Sequence, residues 1–69
     1  MGVKDAIQRV LEDFKEQGLK RIRYSKLVEE VIRLGFARST VYYRLREMEI
    51  KGEIKVVENS TGKWIKLEE

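Results

Sequence analysis

The 69-residue chain is predicted to fold as one α+β domain of three helices, a short strand and a C-terminal β-hairpin. Three observations predict it. Apolar residues recur at spacings of three and four through successive segments, the pattern of helices buried on one side. Each of those segments runs into a glycine, at Gly18, Gly35 and Gly52, a common helix stop. After Gly52 the pattern changes to two-residue alternation around the polar stretch Asn59-Ser-Thr-Gly62, a hairpin signal.

Residues 3 to 17 are predicted to form the first helix. Val3, Ala6, Ile7, Val10, Leu11 and Phe14 make its apolar stripe, and Lys4, Asp5, Gln8, Arg9, Glu12 and Asp13 its solvated side. This helix reads as scaffold, with a dimer contact as the alternative. Leu19 to Tyr24 alternates and carries three cations and no acid, so it reads as a brief strand with Ile22 and Tyr24 inward. Ser25 is the expected N-cap of the second helix, whose hydroxyl would accept from an unpaired backbone N–H. That helix is predicted over 26–34, with Leu27, Val28, Val31 and Ile32 inward. Phe36 is expected to fill the corner after Gly35.

The third helix begins near Ala37 or Arg38. Ala37 is a poor cap, leaving Ser39 or Thr40 for that role. Val41, Leu45 and Met48 form the buried stripe, while Arg38, Ser39, Tyr42, Tyr43 and Arg46 offer cations, hydroxyls and rings on other faces. Adjacent helical residues point about 100° apart, so Tyr42 and Tyr43 cannot share one face. Tyr42 is favoured for the outward position because Arg46 lies one turn beyond it. Arg44 is assigned to an ion pair with Glu47 or to solvent. In the hairpin, pairing Val56 with Ile65 turns Ile54, Val56, Ile65 and Leu67 inward and Lys55, Val57, Trp64 and Lys66 outward. Val57 and Trp64 then form a cross-strand pair. Glu68 and Glu69 are expected to fray.

Composition narrows the chemistry. The net charge is +3, with fifteen Lys and Arg against twelve Asp and Glu, which suits nucleic acid among other anions. The chain has neither Cys nor His, so zinc sites, thiolate chemistry and the common acid–base arrangements lose their usual residues. Nor is there a glycine-rich phosphate loop. No enzyme activity and no cofactor are expected. No segment is apolar for long enough to span a bilayer and none reads as a signal peptide, so the cytoplasm is the default location. Charged residues make up 39% of the chain, while Gln and Asn together number three, a thermophile-like balance that the absence of proline does not share.

The residues from Ser25 to Leu34, the Gly35-Phe36 turn, Arg38-Ser-Thr-Val-Tyr-Tyr-Arg-Leu-Arg-Glu-Met-Glu49, Lys51-Gly-Glu-Ile54 and the 57–64 hairpin resemble a winged helix-turn-helix domain. The string Arg-Ser-Thr-Val-Tyr, followed by Leu45, Met48 and Lys-Gly-x-Ile, is similar to winged-helix transcriptional regulators. The minimal length resembles the small regulators of archaea and of their viruses and plasmids, for which the location would be the host cytoplasm. The resemblance covers nearly the whole chain and departs at Ala37, where Ser or Thr is common, and at Ile50, where a polar residue is common.

The resemblance implies a sequence-specific regulator of double-stranded DNA, with the third helix in the major groove and the hairpin, or wing, on backbone or minor groove. Arg38, Ser39 and Thr40 would meet DNA at the helix start, and Tyr42, Tyr43 and Arg46 along the groove. Asn59, Ser60, Thr61 and Lys63 would form the wing tip. Arg21, Arg23, Ser25 and Lys26 would clamp phosphate beside the second helix, whose N-terminus attracts anions. Ile50, Val57 and Trp64 are expected to make an exposed apolar patch for a homodimer or another protein. The alternative to DNA reading is a winged helix used only for protein interaction. No membrane and no small-molecule ligand are expected as partners.

Overall fold

A computed structural model describes residues 2–67. Met1, Glu68 and Glu69, including the expected frayed end, lie outside the described residues. In chain order the elements are α1 (Val3–Glu16), β1 (Arg21–Arg23), α2 (Tyr24–Arg33), α3 (Arg38–Ile50), β2 (Lys55–Asn59) and β3 (Gly62–Lys66). This is a small α+β domain whose layout is compatible with a winged helix.

The predicted stripes are the buried ones. Ala6 and Ile7 of α1, Leu27, Val28 and Val31 of α2, Val41, Leu45 and Met48 of α3, and Ile22, Ile65 and Leu67 from the sheet side form one apolar cluster. Leu11, Phe14, Ile32, Phe36, Ile54 and Val56 close its edges, half-buried. Burying a Leu, Ile or Met side chain contributes about 1.5–3 kcal/mol, so this one cluster carries most of the stability of so short a chain.

Helix ends follow the glycines. After α3, Glu53 N–H donates to the Met48 carbonyl at 2.8 Å and Gly52 N–H to the Glu49 carbonyl at 3.0 Å. This bond pair needs a left-handed residue at its corner, and Gly52 supplies it with φ +77°. The same pair closes α1 through Leu19 and Gly18. α3 starts at Arg38 as expected, but the start of α2 and the caps of both helices depart from the prediction. α2 begins at Tyr24, not Lys26, and Arg23 takes the cap position with no side-chain bond. Tyr24 is buried beside the core, so the chain turns into the helix directly after the strand. That leaves Ser25 exposed in the first turn, and it is not the N-cap. At α3 the cap position is Ala37, and neither Ser39 nor Thr40 makes the capping bond that was expected of them.

The strands form an antiparallel sheet in the order β1-β3-β2. Its hairpin register is the expected one, with Val56 opposite Ile65 and Val57 opposite Trp64. β1 adds Ile22 opposite Ile65 and Arg23 opposite Trp64. Strand alternation turns Ile22, Ile65 and Val56 toward the helices. It turns Arg21, Arg23, Trp64, Lys66, Lys55 and Val57 to the reverse face. No helix among the described residues is long and apolar enough to cross a membrane.

Candidate nucleic-acid interface

The geometry of α3 follows from its buried side. With Val41, Leu45 and Met48 against the core, a step of about 100° per residue carries Ser39, Tyr43, Arg46 and Ile50 to the opposite side. Tyr43 is 68% exposed and Ile50 76%. Tyr42 sits at the edge of this stripe, 40% exposed, stacked on Tyr24 with ring centroids 5.9 Å apart and planes at 26°. The outward position expected for Tyr42 is therefore held by Tyr43, and Tyr42 is the tyrosine that covers the core edge.

The hairpin brings a cation to the same place. Lys63 shares the strand face of Ile65 but lies beyond the core, and its Nζ is 4.4 Å from the Tyr24 ring centre. Tyr24, Tyr42, Arg46, Glu49, Ile50 and Lys63 line one depression between α3 and the hairpin. Burial, then the nearby Glu49 and Tyr42, raise the Tyr24 phenol above its ordinary value of 10.0, with Arg46 opposing. The ring is thus neutral in ordinary buffers, and the charge of the depression comes from Arg46, Lys63 and Glu49.

At the start of α3, Arg38 pairs with Glu29 at 3.2 Å, and that bond raises its pKa. Ser39 and Thr40 are exposed beside it. Arg44 pairs with Glu47, as expected, and its Nε is buried without a partner among the described residues. Among the described residues no salt bridge engages Arg46, Lys63, Arg21 or Arg23.

The hairpin tip is held by its own side chains. Asn59 Oδ1 accepts from the Thr61 N–H at 2.9 Å and from the Thr61 hydroxyl. That hydroxyl in turn accepts from Trp64 Nε1–H at 3.0 Å. Arg23 donates to the Thr61 carbonyl at 2.8 Å. The polar atoms of Asn59 and Thr61 are thus largely committed to the turn, and Ser60 and Lys63 are the side chains left to reach outward.

Two expected groupings come apart. Arg21, Arg23 and Lys26 do not form one clamp. The guanidinium carbons of Arg21 and Arg23 lie 3.9 and 4.3 Å from the Trp64 ring centre on the reverse face of the sheet, whereas Lys26 pairs with Glu30 on α2 at 3.6 Å. Ser25 is exposed on α2. Ile50, Val57 and Trp64 do not form one patch either. Ile50 borders the depression beside α3, while Val57 and Trp64 line another with Lys20, Arg21 and Lys66. Pairing of β1 with β3 lays two arginines over the tryptophan, and strand alternation puts Val57 and Trp64 on the face away from α3 and Ile50. The alternation Arg21-Ile22-Arg23 was the available signal, since it puts both arginines on the face away from Ile22.

Comparison with protein-family models, with curated proteins and with solved structures finds no match for this chain.

Proposed function

We propose that the protein is a sequence-specific, double-stranded DNA-binding regulator with a winged-helix fold, α3 entering the major groove and the hairpin touching backbone. The observation that carries this reading is the convergence of Arg46 and Lys63, from different elements, on the depression beside the Tyr24–Tyr42 stack, neither in a salt bridge among the described residues. A guanidinium on the outward stripe of an exposed helix can donate two bonds to guanine, and a hairpin lysine supplies a phosphate contact. Ser39 and Tyr43 share Arg46's stripe and reach the same groove. Arg38 and the uncapped first turn of α3 attract a phosphate, since the orphan N–H groups there have no side-chain acceptor. The Arg38–Glu29 pair is exposed, so exchanging it for phosphate costs little.

Selection of bound duplexes from a random pool tests the proposal, followed by affinity measurements on the winner and on random duplex. Arg46→Ala should cost about 1–3 kcal/mol on the selected site alone, and Lys63→Ala should weaken every duplex alike. Equal binding by both variants with no salt dependence rejects it. A second reading, a winged helix that binds protein, has one observation in its favour, the 76% exposure of Ile50 beside the same depression. Retention of a protein partner by an Ile50-dependent contact, with no duplex bound, would establish that reading instead.

A further inference from the structure

The reverse face of the sheet has a composition that folding does not call for. Arg21 lies opposite Lys66, and Lys66 opposite Lys55, so three cations stand in one row across the three strands. In the next row Arg23 lies opposite Trp64, and Trp64 opposite Val57. Like charges directly opposite one another destabilise a sheet. The strand residues turned to this face include no Asp or Glu. Among the described residues no salt bridge engages Arg21, Arg23, Lys55 or Lys66.

We propose that this face binds the phosphate backbone of a second DNA duplex, so that one domain bridges two duplexes. The inference rests on the proposed reading of α3. Its geometric basis is the sheet itself. The inward-facing Ile22 and Ile65 join one core with all three helices, so α3 lies on the inner side, as does Lys63 beside it. The row Arg21–Lys66–Lys55 is on the other side, out of reach of a straight duplex laid along α3. Two strand spacings of about 4.8 Å put three cations within roughly 10 Å. Duplex DNA carries one charge per about 1.7 Å of axis and meets such a row as a rigid polyanion, without the ordering cost of an acidic peptide. A protein partner would also seek an open aromatic anchor, and Trp64 has Arg21 and Arg23 over its ring.

The test immobilises one duplex on beads, adds the protein and measures recovery of a second, fluorescent duplex. The full chain should retain the second duplex. The Lys55→Gln/Lys66→Gln variant should still bind the first duplex but lose the second, the slope of log capture against log salt falling by about 2. Lys55→Arg/Lys66→Arg should capture normally, which separates charge from folding. Undiminished capture by the glutamine variant would mean bridging by paired copies and overturns the proposal. Binding of one duplex with no capture of another overturns it and leaves the reading of α3 standing. Binding of no duplex defeats both. Capture of poly-glutamate instead of DNA, lost in the glutamine variant, assigns the face to acidic protein and also overturns it.

Discussion

Arg23 Nη1 lies 2.8 Å from the main-chain oxygen of Thr61, so the last residue of β1 holds the turn of a hairpin 38 residues further along the chain. The same side chain lies over Trp64. Arg23→Ala should lower unfolding free energy by about 1 kcal/mol, summing an exposed hydrogen bond and a cation–π contact. Urea titration measures the loss. Faster exchange of the Thr61 amide should accompany it, because the turn keeps only the Asn59 and Trp64 side-chain bonds.

Gly62 is strained for any other residue. Its φ is +128°, and a Cβ there would stand 2.8 Å from Arg23 Nη1. Gly62→Ala should destabilise the domain by about 1–3 kcal/mol through backbone strain. The arginine tip can move aside, so adding Arg23→Ala should not restore the loss. A double-mutant cycle that recovers most of it would assign the cost to the clash instead.

Leu45 is fully buried in α3. Leu45→Ala should cost about 2–5 kcal/mol, against a total of about 3–10 kcal/mol expected for a chain of this length. Thermal unfolding should show a variant that is largely unfolded or close to it at ordinary temperature. A shift of only a few degrees would mean the core collapses around the gap.

Tyr24 has its phenol pKa raised in the fold by burial first and by Glu49 and Tyr42 next. Above the ordinary value of 10.0 the unfolded chain releases this proton before the folded one does. The contribution of Tyr24 is therefore whole below pH 10 and is lost as pH rises toward the folded value. Stability measured in urea should fall less between pH 9 and about pH 11 in Tyr24→Phe than in the parent. Equal slopes would exclude a role for this ring.

Tyr42 and Tyr43 separate two versions of the binding surface. With Tyr43 on the outward stripe, Tyr43→Ala should lower affinity for the selected duplex by about 1 kcal/mol or more. Tyr42→Phe should change it little and leave the Tyr24 stack intact. The reverse ranking would favour the placement read from the sequence.

These two tyrosines also mark where sequence reading stopped. Val41, Leu45 and Met48 were legible because helical spacing is local, and the hairpin register because a one-residue slip would bury lysines. Side-chain choices at the margins were not. The spacing already put Tyr43 about 200° from Val41 and so outward, but the stack that holds Tyr42 at the core edge is made by Tyr24, which comes from another helix. Trp64 read as an open apolar residue because its covering arginines belong to β1, and only strand pairing brings them together. Ser25 had good capping chemistry, but the helix starts at the buried Tyr24, two residues too early for it. The DNA-facing assignments of Arg38, Ser39, Arg46 and Lys63 came from family resemblance and residue chemistry, and the Arg46 and Lys63 mutants above test two of them.

The sheet order β1-β3-β2 has a consequence for how the protein is made. A ribosome delivers the two edge strands first and the middle one last. Arg21 to Arg23 emerge with no strand to pair with, and β2 follows in the same condition. Ile22 meets Ile65 only when Gly62 to Lys66 have left the exit tunnel. Until then the helices have no apolar sheet to close over, and both faces of β1 stay wet. A chain ended just before Gly62 would have helices without a floor, so it should be open to protease, whereas a nascent chain extended by a linker that carries Leu67 clear of the tunnel should resist it.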